Sequence, residues 1–200
     1  MFILSRLSDL IRIPPDQFHK EAQTSIIYEL NKKYANKIVH NLGLIVSVWD
    51  LIKVDDGLIK PGDGSSYIKC EVRVVVFRPF VGEVLTGWIE KCSPEGIYVK
   101  CEFFNDIFIP KDMLFQNCEY NINESAWIWK MDEDTSLYLD VNEKINFRVE
   151  KEIFLNIKPK GPKLYDDEEP EEETLETKKP KYSVIGSCQA DGMGCVSWWE

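Results

Sequence analysis

Between residues 67 and 77 the side chains alternate, with Ile68, Cys70, Val72, Val74 and Val76 apolar on one side and Tyr67, Lys69, Glu71 and Arg73 on the other. A period of two is that of a half-buried strand. Phe2, Leu4, Leu7, Leu10, Ile11 and Ile13 predict a strand over residues 1–13, which Pro14-Pro15 ends. Residues 44–54 read as another strand, turned by Asp55-Asp56-Gly57. Between them Phe18, Ala22, Ile26, Leu30 and Tyr34 recur every four residues, which predicts an amphipathic helix over residues 16–37. Its end carries Lys32, Lys33 and Lys37, favourable to the helix dipole, before Asn41-Leu42-Gly43 breaks it. The first part is therefore β-α-β-β, an α+β domain with a small antiparallel sheet and one helix.

A second architecture begins after Phe77-Arg78-Pro79-Phe80 and Gly82, where a proline with no N–H stops the ladder. We place a domain boundary there, giving domains 1–80 and 81–200. Short strands are expected near 84–92, 96–103 and 106–110, then a short helical turn at 110–115. Residues 119–140 read as an insertion that packs by its tryptophans, Trp127 and Trp129. A long strand over 144–157 and a closing strand at 181–186 complete five strands, the pattern of an OB-fold barrel, all-β. Residues of about 158–180 carry proline and acid with almost no apolar side chains, the composition of a disordered linker.

Charge refines this picture. The formal net charge is −10, yet eight carboxylates and no base lie between Asp166 and Glu176, so the remainder is nearly neutral. That balance argues against tight, sequence-independent binding of duplex DNA and leaves room for a local basic face. No run of eighteen apolar residues exists, so no membrane-spanning helix is expected, and no signal peptide is evident. A cytosolic or nuclear setting, with reduced thiols, follows. None of the six cysteines forms a C-x-x-C pair, so no metal site is expected.

No cofactor or catalytic centre emerges. His19 and His40 lack a serine or cysteine placed by spacing as a partner, and a triad or dyad needs one. Gly62-Asp63-Gly64-Ser65-Ser66 leads into a strand and lacks Gly-Lys-Ser/Thr, so it is an exposed hairpin tip rather than a phosphate loop, suited to docking on another protein. The barrel offers more. Tyr98 and Lys100 point outward on its second strand, Phe108 and Lys111 lie at the end of the third, and Lys144 and Arg148 project from the fourth. An aromatic ring beside a cation is the combination that binds single-stranded RNA. Large apolar side chains at Phe77, Phe80, Trp88, Trp198 and Trp199 point further to a protein interface.

Pro61-Gly62-Asp63-Gly64-Ser65-Ser66-Tyr67 and Val76-Phe77-Arg78-Pro79-Phe80-Val81-Gly82-Glu83-Val84 resemble the larger stalk subunit of the multisubunit RNA polymerases, a family with archaeal as well as eukaryotic members. Asp106-Ile107-Phe108-Ile109-Pro110, Glu124-Ser125-Ala126-Trp127-Ile128-Trp129 and the segment from Gly186 to Trp199 are similar to its RNA polymerase III members. The resemblance implies a truncated ribonucleoprotein-like N-terminal domain, docked on the polymerase core through Pro14, Pro15 and the loop Lys60-Pro61-Gly62-Asp63-Gly64-Ser65-Ser66. It also implies a heterodimer with a smaller stalk subunit, and a barrel that meets initiation factors and the emerging single-stranded transcript in the nucleus. Barrels of the ribosomal-protein type often end their third strand with histidine, where this chain has Pro110. A free-standing RNA-binding module, or a subunit of an RNA-processing complex, is the alternative on the same barrel.

Overall fold

The computed structural model describes residues 1–131, 135–155 and 180–199. These form two compact units, Met1–Pro79 and Phe80–Glu200. In the first, β1 (Phe2–Ile13), β2 (Lys37–Val39), β3 (Gly43–Val54), β4 (Leu58–Ile59) and β5 (Ser66–Phe77) make an antiparallel sheet ordered β1-β5-β3-β2, with β4 on β5. The central strand is β5, and it alternates as its sequence requires. Cys70, Val72, Val74 and Val76 face inward with Ile11, Ile13 and Ile45, and are covered by Ile26 and Leu30 of α1 (Ala22–Tyr34).

That helix is shorter than its periodicity suggested. Residues 15–17 form a separate 3-10 turn in which the Gln17 N–H reaches the Pro14 carbonyl, and helical bonding starts afresh at Ala22. Phe18 keeps the rhythm but lies between the two turns, exposed. At the other end the backbone leaves the helix at Ala35, which is extended (φ −59°, ψ 137°), and Asn36 follows in a left-handed conformation (φ +58°). Lys37 consequently begins β2 rather than closing α1.

In the second unit, β6 (Val84–Ser93), β7 (Gly96–Lys100) and β8 (Ile107–Pro110) form a meander. The insertion folds as its own three-stranded sheet from β9 (Cys118–Asn121), β10 (Ala126–Lys130) and β11 (Ser136–Leu139). Then β12 (Lys144–Phe154) pairs with β6, and β13 (Tyr182–Ser187) joins β12 on one side and, in parallel, β8 on the other. The ring β6-β7-β8-β13-β12 closes, so the expected five-stranded barrel is present, extended by β14 (Gly194–Cys195) on β12. Its filling is Leu85, Ile89, Ile97, Val99, Ile107, Ile109, Ile145, Phe147 and Val149, all buried.

Two details differ from expectation. Strand β7 ends at Lys100, not 103, because the Cys101 N–H turns to the Phe104 carbonyl (2.8 Å) and Phe104 is buried. The insertion is a sheet, although its tryptophans do pack. Trp127 is buried with its indole N–H donating to the Ser93 carbonyl (3.0 Å), and Trp129 stacks on Phe115 at 4.3 Å. The acidic linker and the end of the long strand at 156–157 lie outside the described residues.

Residues 77–82 divide between the units. Phe77 is buried, its ring 5.7 Å from that of Phe2, and the Arg78 guanidinium donates to the Asn41 carbonyl (3.0 Å). In the second unit the Phe80 N–H donates to the Glu83 carboxylate (3.1 Å), and the Gly82 N–H to the Val149 carbonyl (2.7 Å).

Candidate functional site

The outer face of the barrel carries the groups with most to offer a ligand. Because Leu85, Gly87 and Ile89 point inward on β6, Trp88 points out. The register sets Trp88 beside Lys144 of β12 on one side and Lys100 of β7 on the other. The Lys144 ammonium sits 6.0 Å from the indole centroid, within cation–π range. One row along, Tyr98 pairs with Lys91 and with Phe108, and the Tyr98 and Phe108 rings lie 4.8 Å apart. Lys111 follows at the end of β8, its N–H bound to the Glu95 carbonyl (3.0 Å). The strands thus assemble three aromatic rings and four lysines on one face.

Tyr98, Lys100, Phe108, Lys111 and Lys144, singled out from sequence, are brought together here. Arg148 is not. It pairs with Val84 at the other end of the face and is held by Glu150 (2.9 and 2.5 Å). That partner was legible, since residues two apart in a strand share a face. Sequence reasoning assigned Trp88 to a protein interface rather than to this face, and did not single out Lys91. The inward run Leu85, Gly87, Ile89 marks Trp88 as outward, but its lysine neighbours come from two other strands. Burial, and secondarily Glu90, raise the pKa of the Asp106 carboxyl, one residue before β8.

In the first unit, the loop between β4 and β5 is folded around Asp63. This carboxylate accepts from Arg12 (3.1 and 2.8 Å), from the Tyr67 hydroxyl (2.6 Å) and from the Ser65 hydroxyl (3.3 Å). Arg12 above all, then Tyr67, holds its pKa far below the usual carboxylate range. Gly62 (φ +88°) and Gly64 (φ +69°) supply left-handed turns. A Cβ on Gly64 would meet only Pro15, at 3.7 Å, so the Pro14-Pro15 turn and the loop share one end of the sheet. Beside them lies an apolar groove of ≈ 300 Å³ lined by Ile13, Phe18, Ile59 and Ile68. Leu58 and Ile59 nearby are 75% and 65% exposed.

All six cysteines are free. Burial pushes the Cys188 thiol up to about 12 and those of Cys92 and Cys118 to about 11. A raised thiol pKa means a protonated, unreactive sulfur at pH 8. The stability these thiols contribute is complete below the free-thiol value near ~8.5 and is lost as pH climbs through 11–12. We expect fewer than about one sulfur per chain to react with Ellman's reagent at pH 8 in the native state, and all six in denaturant.

A family profile described as RNA polymerase III subunit Rpc25 matches residues 83–199, and the SHS2 domain found in the N terminus of Rpb7p and Rpc25p matches residues 8–64. The fold and both of its signatures are those of a multisubunit RNA polymerase subunit family. The chain belongs to the RNA polymerase III subunit Rpc25 family. It is 55% identical to DNA-directed RNA polymerase III subunit RPC8 of Saccharomyces cerevisiae, over 100% of both chains. The corresponding protein of Schizosaccharomyces pombe is 47% identical over 100% of both chains. That of Bos taurus is 41% identical over 100% of this chain and 98% of its own.

Proposed function

We propose that the chain is a non-catalytic stalk subunit of nuclear DNA-directed RNA polymerase III, paired with the smaller stalk subunit, which acts in initiation at genes for small RNAs such as tRNA and contacts the emerging transcript. The observation that carries this reading is the full-length likeness to proteins named as RNA polymerase III subunits, which spans both units. The domains divide the work as 1–80 for docking on core subunits and 81–200 for the transcript and initiation factors. Residues 77–82 link them.

The rings of Trp88, Tyr98 and Phe108 give bases a surface to stack on, and Lys91, Lys100, Lys111 and Lys144 meet the phosphates. Stacking surfaces with point charges bind single strands without reading sequence, as a subunit serving many transcripts requires. Among the described residues no group is arranged to move a proton or attack a bond. The strongly shifted titratable groups among the described residues are buried thiols and the ion-paired Asp63. Exposed Leu58 and Ile59, the groove and the rigid loop form a surface suited to burial in a larger assembly.

Affinity purification of the tagged chain is the test. The catalytic subunits of RNA polymerase III should co-elute in equal amounts, and recovery of a lone monomer overturns the reading. Within that experiment, Asp63→Asn removes the charge that binds Arg12 and loosens the loop. Recovery of core subunits should fall several-fold while the smaller stalk subunit is retained. Equal recovery of core subunits would remove the loop from the docking surface.

A further inference from the structure

On the outer face of the barrel a polar pair stands between two indoles. The register of β6 and β12 sets Thr86 directly opposite Asn146. Their chain neighbours Leu85, Ile145 and Phe147 are buried in the barrel, so both side chains point outward. The Thr86 hydroxyl donates to Asn146 Oδ1 (2.8 Å). That bond fixes the amide and leaves Nδ2 on its other branch, where it makes no hydrogen bond among the described residues.

Trp88 lies two residues along β6 from Thr86 and diagonally across from Asn146, a separation that a large side chain spans. On the other flank, β14 sets Gly194 opposite Asn146, and a Cβ on Gly194 would meet the Trp198 ring at 2.5 Å. The half-buried Trp198 indole therefore lies over β14 on the same outer face. Phe115 and Trp129 hold it there, with ring centroids at 5.9 and 5.6 Å. The next outward residue of β12 toward Trp88 is Lys144, a cation for a phosphate.

The sugar is the part of a nucleotide that this pair suits. A ribose 2′-hydroxyl is donor and acceptor at once. Asn146 Nδ2 donates to its oxygen. The Thr86 oxygen, whose own proton is committed to Asn146, accepts its proton. The C2′ of deoxyribose answers neither. Elsewhere the face is indifferent to the sugar, because indoles stack on any base and lysines meet the phosphates of RNA and DNA alike.

We propose that Thr86 and Asn146 form a ribose-reading site, which hydrogen-bonds the 2′-hydroxyl of a nucleotide whose base stacks on Trp88 and so makes this face select RNA over DNA of the same sequence. Where a transcript and an unwound DNA strand are both at hand, this contact tells them apart.

Ribose reading rests on the face being an RNA site, and the probes separate the two. Fluorescence anisotropy of the full chain is measured with a short oligouridine, its deoxyuridine counterpart and its 2′-fluoro analogue. The ribose form should bind about tenfold tighter than the deoxy form, the effect of two added hydrogen bonds. The 2′-fluoro form keeps the sugar pucker of RNA but has no proton to give, and it should fall toward the deoxy form. Asn146→Ala should bring the ribose and deoxy forms to within about twofold of one another, and Thr86→Val should shrink the ratio to about threefold. Lys100→Glu should weaken both forms and keep the ratio, since a phosphate contact does not see the sugar. If Asn146→Ala binds neither form, Thr86→Val alone decides. Equal affinity of the unaltered chain for the two sugars overturns the inference and leaves the RNA reading standing. So does a 2′-fluoro form bound as tightly as ribose, or a ratio that survives the substitutions. Binding of none of the three probes overturns both.

Discussion

Gly96→Val will unfold the barrel unit at or below physiological temperature. Gly96 has φ +153° and opens β7 where that strand meets β8. A Cβ there would stand 2.2 Å from the Ile109 carbonyl oxygen and 2.9 Å from the Pro110 Cα, both backbone atoms that cannot swing aside. Overpacking of this kind costs about 1–3 kcal/mol and a strained φ about as much again, which together approach the ~5–15 kcal/mol that holds a whole domain. Tryptophan fluorescence follows the event, because Trp88, Trp127, Trp129, Trp198 and Trp199 lie in the barrel unit and only Trp49 in the other. Gly62→Val is the control, since a Cβ at Gly62 meets nothing within 4 Å and only the φ strain remains. A native-like melting curve for Gly96→Val would show that β7 and β8 can part without loss of the barrel.

Trp88→Ala combined with Lys100→Glu and Lys144→Glu should abolish measurable binding of a short single-stranded RNA while leaving the melting curve in place. One stacked base is worth about 1–3 kcal/mol, so the tryptophan alone accounts for roughly five- to 150-fold in affinity. Each lysine that meets a phosphate contributes about 0.7 to the slope of log affinity against log salt, so losing two flattens that slope by about 1.4. Arg148→Glu should do little, because Glu150 already neutralises the guanidinium. Undiminished binding by the triple variant would move the RNA site off this face.

Why some of this was legible and some not follows from where each signal resides. The β5 alternation is local, and one glance along residues 67–77 gives both faces. The barrel was legible because five apolar strands separated by turns have few other ways to close. The start of α1 was not, because Phe18 carries the four-residue rhythm across a stretch whose backbone is bonded as a 3-10 turn. β2 and β4 are three and two residues long, too short for any period to show. Trp88 is the instructive miss. Its neighbours Lys144 and Lys100 come from strands far along the chain, and only the register makes them neighbours. The loop at residues 60–66 was recognisable as an exposed tip, but the carboxylate that organises it draws its strongest partner, Arg12, from a strand some fifty residues earlier.

The parallel seam between β8 and β13 sets the order in which the chain matures as it is made. The first sheet has all its strands once Phe77 is synthesised, whereas the seam waits for Ser187, about 110 residues later, or roughly 5–20 s at ordinary translation speeds. Throughout that interval β6, β7 and β8 exist as an unclosed meander with Ile97, Ile107 and Ile109 uncovered. The nascent protein therefore passes through a stage at which half of it is finished and half is adhesive, a stage for chaperones to guard.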